Sequence, residues 1–61
     1  MASTLTDRER DIAALLVHGL TSKEIGKELN ISPRTVDIHR ASLLRKYEVR
    51  ATSDLIVRLL A

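Results

Sequence analysis

The chain has 61 residues, no cysteine and a single aromatic residue, Tyr47, which excludes a disulfide framework and a thiolate metal site and leaves one small domain with an aliphatic core. A domain this short buries only about 60% of its unfolded surface, and no apolar run approaches the ~18 residues of a membrane span, nor is a signal peptide visible. The net charge of +2 is unevenly placed: residues 1–31 carry four basic and five acidic groups, residues 32–61 six basic and three acidic, which suits a polyanion partner on the second half or, equally, an ordinary solvated surface.

Residues 1–4 read as a disordered start or cloning remnant, and residues 5–61 as the domain. Few glycines, one proline and few β-branched runs favour helices throughout. The first helix, about 7–18, opens with a capping box: Thr6 can accept from the amide of Glu9 while Glu9 reaches back to the amide of Thr6. Ile12, Leu15 and Leu16 recur at i, i+3, i+4 and face a core; Gly19 ends the helix in a left-handed turn. The second, about 22–29, repeats the capping logic with Thr21 and Glu24. Ile25 and Leu29 share one face. Gly26, which costs about 1 kcal/mol against alanine on a helix, points to close approach of a neighbouring helix. Asn30 is a left-handed stop.

The third helix, about 33–47, starts with Ser32 as cap and Pro33 at the first helical position. It is about 22 Å long. Val36, Leu43 and Tyr47 form its inward stripe, with His39 and Arg40 beside it. Arg34, Asp37, Ile38, Ala41 and Arg45 fall on another stripe, at i, i+3, i+4, i+7, i+11. That stripe mixes charge with small or lone apolar groups, a poor core pattern that suits base edges flanked by phosphates. Two helices so closely joined, the second one basic, are the sequence form of a helix-turn-helix DNA reader. The fourth helix, about 52–60, is capped by Thr52 or Ser53. Leu55, Ile56, Val57, Leu59 and Leu60 go nearly all the way round it, so some apolar surface remains for a partner.

Each candidate residue has a plainer alternative. Asp37 can accept from cytosine N4 or simply pair with Arg34 three residues before it. Arg34 can read guanine or hold a phosphate. Ile38 and Ala41 can meet thymine methyls, or Ile38 can belong partly to the core. Ser22 and Lys23 can set the positive end of the second helix on a phosphate, or form a solvated first turn. Lys46 can contact phosphate or pair internally with an acid of the first helix such as Glu9. His39 reads as a packed, hydrogen-bonded structural histidine, and His18 as a cover for terminal carbonyls.

Three blocks, LTDRERDI (5–12), GLTSKEIGKELNIS (19–32) and RTVDIHR running on to LLRKYEV (34–49), resemble in order and spacing the C-terminal DNA-binding domain of the LuxR/FixJ, or GerE-like, class of bacterial transcription regulators. The SPRTV-x-x-HR wording resembles the FixJ branch, mostly response regulators. The resemblance implies an all-α, four-helix LuxR-type helix-turn-helix domain that binds pseudo-palindromic double-stranded DNA. Carried over by position, Arg34, Asp37, Ile38 and Ala41 face the major groove, and Ser22, Lys23, Thr35, Arg45 and Lys46 fall at or near phosphate-contacting positions. The fourth helix commonly mediates dimerisation, which assigns Leu55, Val57, Leu59 and Leu60 to a homodimer contact. Ala51 stands where a capping polar residue is common.

The expected function is sequence-specific DNA binding as the output domain of a cytoplasmic transcription regulator, with RNA polymerase as a further partner compatible with that role. No cofactor, metal, membrane or small molecule is expected for this domain. No nucleophile–base pair, glycine-rich phosphate loop or metal-ligand cluster supports an enzyme. A helical protein-interaction module, docking through the fourth helix, is the competing class.

Overall fold

A computed structural model describes residues 4–61. Residues 1–3 of the expected disordered start lie outside the described residues. Thr4 is tied down, its carbonyl accepting from Lys46 Nζ at 3.2 Å. Four helices follow: α1 (Asp7–Val17), α2 (Ser22–Leu29), α3 (Pro33–Lys46) and α4 (Thr52–Leu60). None is long and apolar enough to cross a membrane.

Local chemistry sets the boundaries. Both capping boxes form: Thr6 and Glu9 exchange hydrogen bonds of 2.8 and 3.1 Å, Thr21 and Glu24 bonds of 2.8 and 3.2 Å. Each satisfies two amides that have no partner inside the helix. The bonds to Thr21 also hold the Glu24 carboxyl below its ordinary pKa. Ser32 Oγ accepts from the Thr35 amide at 3.1 Å. For α4 the expectation fails: Ala51 is the cap residue and makes no side-chain bond, and neither Thr52 nor Ser53 caps.

The three turns share one device. Gly19 (φ 85°), Asn30 (φ 57°) and Glu48 (φ 55°) stand in the left-handed region just past α1, α2 and α3. The amides of Leu20, Ile31 and Val49 then reach back to the carbonyls of Leu15, Gly26 and Leu44, which satisfies helix-end acceptors. Gly26 is needed for close approach, to the turn that follows α2 and to Pro33, the first residue of the neighbouring helix α3. A Cβ there would lie 2.6 Å from the Ile31 carbonyl oxygen and 3.4 Å from the Pro33 nitrogen. The missing side chain lets the chain turn back sharply between α2 and α3.

Every helix supplies the core: Ile12, Ala13 and Leu16 from α1, Ile25 from α2, Val36 and Leu43 from α3, Leu55 from α4. Burying each large aliphatic side chain contributes about 1.5–3 kcal/mol before entropy is subtracted. α3 packs against all three other helices. α2 and α4 each meet α1 and α3 without touching each other. The inward stripe of α3 behaves as its spacing predicts, with Val36 and Leu43 fully buried and Tyr47 packed against the core. α4 resolves its ambiguity one way: Leu55 is fully buried, Ile56 and Leu59 pack partly on the core, and Val57 and Leu60 are 66% and 69% exposed. The assignment of Leu55 to a dimer contact is therefore corrected. Its side chain is already enclosed by its own domain and offers nothing to a partner.

Candidate nucleic-acid interface

The outer stripe of α3 is open along its whole length. Arg34, Asp37, Ile38, Ala41 and Arg45 are all exposed, and Ile38, at 61%, is no part of the core. A large apolar side chain standing alone among charges is suited to a dry contact with another apolar group. Arg34 and Arg45 form no ion pair among the described residues, so both guanidinium groups are available. Thr35 sits at the leading end, half-buried, its hydroxyl 2.9 Å from that of Ser32.

The start of α2 is brought onto the same side by a bond that links the two helices: Ser22 Oγ donates to Asp37 Oδ1 at 2.5 Å. Lys23, the next residue, is exposed. Asp37 pairs not with Arg34 but with Arg40, whose Nη2 donates to the same oxygen at 2.8 Å. The direction of helical side chains explains the choice. Cα–Cβ bonds tilt toward the helix N-terminus, so Arg40 lies back over the turn holding Asp37, while Arg34 leans away from it.

Lys46 is the clearest departure from the phosphate set. Its ammonium donates to Glu9 Oε1 at 2.7 Å as well as to the Thr4 carbonyl. Ser42, one turn earlier on α3, donates to the other oxygen of Glu9 at 2.6 Å. Glu9 is 3% exposed and, among the described residues, the only charged residue of the core. Bonds from Lys46, Ser42 and the Thr6 amide, in that order of effect, lower its pKa from 4.5 to about 2 against an opposing desolvation. Lys46 therefore anchors the end of α3 to α1, the internal alternative, and is removed from the phosphate contacts. His39 is half-buried and its ring has no hydrogen-bond partner among the described residues, contrary to the expectation of a bonded histidine. No group of three His, Asp or Glu residues stands close enough to hold a metal among the described residues.

Three contacts were not legible in the sequence: Ser22–Asp37, Ser42–Glu9 and the choice of Arg40. The only prior signal for the second was Ser42 and Lys46 at i, i+4, two polar groups on one helical face.

Comparison with known proteins finds relatives across most of the chain. The chain is 41% identical over 58 residues to the transcriptional regulatory protein FixJ of Rhizobium meliloti, covering 95% of this chain and 28% of that protein. It is 47% identical over 55 residues to the transcriptional regulatory protein UhpA of Salmonella typhimurium (90% and 28%). It is 49% identical over 49 residues to the nitrate/nitrite response regulator protein NarP of Escherichia coli (80% and 23%). The chain thus spans about a quarter of the length of these relatives. The family model of bacterial regulatory proteins, luxR family, matches residues 3–59. With four helices, a helix-turn-helix in α2–α3 and a family match across nearly its whole length, the chain belongs to the luxR family of bacterial regulatory proteins.

Proposed function

We propose that this domain binds double-stranded DNA in a sequence-specific way, as the output domain of a bacterial response regulator, with α3 in the major groove. The observation that carries the proposal is the exposed α3 stripe, where two unpaired guanidinium groups flank a lone apolar side chain. Arg34, Ile38 and Ala41 read base edges, and Asp37 can join them through its second carboxylate oxygen. Arg45, Lys23 and Thr35, with the positive end of α2 at Ser22, hold phosphates on either side and fix the register. Two copies, paired through Val57 and Leu60 of α4 with the outer edge of Leu59, would read two half-sites about one helical turn apart. The work is recognition and not catalysis. It belongs in the cytoplasm, with RNA polymerase as the further partner through which the parent protein activates or represses.

Arg45→Ala is expected to weaken binding to every duplex and to reduce the slope of log affinity against log salt by about one unit. Arg34→Ala is expected to change the order of preference at one base position, with a cost of about 1–3 kcal/mol for its preferred base. Both are read by titrating labelled duplexes, first selected from random sequence, over a range of salt. Association of the domain that ignores salt, without duplex binding, would instead favour the protein-interaction module.

A further inference from the structure

A carboxylate on a surface that meets phosphate is repelled by it, so Asp37 is the odd group on this face. Its environment gives it a task. Oδ1 takes two donors at once, the Ser22 hydroxyl at 2.5 Å and Arg40 Nη2 at 2.8 Å. A hydroxyl at the first residue of a helix together with a guanidinium is the donor set that a phosphate oxygen also satisfies. The pair is not sealed off, since the side chains of Arg40 and Asp37 are 32% and 52% exposed. The exposed cations Arg34, Arg45 and Lys23 form no ion pair among the described residues, whereas Arg40, half-buried at the edge of this face, is neutralised by Asp37.

We propose that Asp37 is a specificity-determining residue that acts as an internal counter-anion, holding the Ser22 hydroxyl and the Arg40 guanidinium against a DNA phosphate. The proposal rests on the DNA-binding reading above. Affinity for arbitrary duplex is almost entirely phosphate electrostatics. Withholding one cation lowers that affinity while leaving base contacts at the proper site intact. The ratio of specific to non-specific binding rises, and that ratio is what matters among very many competing sites.

The test uses the 61-residue chain and a labelled duplex of random sequence, titrated between about 50 and 200 mM salt. Asp37→Asn keeps the size and an acceptor oxygen but loses the charge. It is expected to bind several-fold tighter, with a salt slope steeper by about one unit. Arg40→Gln alone stays near the unsubstituted chain, because its cation is already engaged. In Asp37→Asn/Arg40→Gln the gain disappears. Neither position belongs to the core, Asp37 being exposed and Arg40 half-buried, so the variants are expected to stay folded, which helical circular dichroism checks. An Asp37→Asn chain with unchanged affinity and slope overturns the proposal. So does a gain that survives in the double variant, since Asp37 would then act as a bare repelling charge. If the unsubstituted chain has no salt-dependent affinity for any duplex, the DNA-binding reading falls and takes this inference with it. If it binds normally while the variants fail to separate, only the inference about Asp37 falls.

Discussion

Leu55→Ala is expected to leave most of the domain unfolded at room temperature. Leu55 is fully buried and is the one completely enclosed side chain that α4 gives to the core. Truncating a buried leucine costs about 3–5 kcal/mol, part lost transfer energy and part cavity. A single core of this size rarely supplies more than about 3–5 kcal/mol in total, so one substitution removes nearly the whole margin. Urea or thermal unfolding followed by helical circular dichroism measures it. Val57→Asp and Leu60→Asp should behave in the opposite way. Their side chains are about two-thirds exposed, so the fold survives, while any self-association through α4 and cooperative binding to paired half-sites are lost. A Leu55→Ala domain that stays folded but no longer self-associates would return Leu55 to the interface and contradict the packing described here.

The second large effect is acid sensitivity at Glu9. The folded pKa of about 2 lies below the ordinary 4.5, so the native state holds this carboxylate charged where the unfolded chain has begun to take up a proton. The resulting stabilisation is complete above pH 4.5 and is lost as the pH falls toward 2. The side chain is almost fully enclosed but Lys46 is about a quarter exposed, so solvent screening trims the effect to the order of 2 kcal/mol. Glu9→Gln is expected to cost about 2 kcal/mol at neutral pH, because Lys46 and Ser42 lose their charged acceptor. It should also flatten the dependence of stability on pH between 4.5 and 2. Lys46→Met should flatten the same window from the other side of the pair. Parallel pH profiles for the unsubstituted chain and Glu9→Gln would show that the buried carboxylate does not govern acid unfolding.

The Glu9 site also positions α3. α3 is held at its far end by Lys46 on Glu9 and near its start by Asp37 on Ser22. Apart from Asp37, its outer stripe carries no tertiary hydrogen bond among the described residues, and Arg34, Ile38, Ala41 and Arg45 stay exposed. On the proposed DNA-binding reading, a surface held in this way would lose little freedom on meeting a rigid duplex, which favours affinity at a correctly shaped site.

What the sequence determined by itself was decided within four or five residues. Thr6 with Glu9, Thr21 with Glu24, and Ser32 with Pro33 mark three helix starts through caps closed by neighbours along the chain. Gly19 and Asn30 mark two stops by tolerating positive φ. The buried and exposed stripes of α3 follow from helical spacing because that helix alternates polar and apolar groups clearly. Where local chemistry was silent, tertiary structure decided. α4 is apolar nearly all round, so only its docking on α1 and α3 chose Leu55 as the inward residue and Val57 and Leu60 as the outward ones. Ser22–Asp37, Ser42–Glu9 and Lys46–Glu9 join residues 15, 33 and 37 positions apart. A charged side chain can reach any of several partners along a sequence, and it takes one only when helix packing sets a single opposite group within hydrogen-bonding distance.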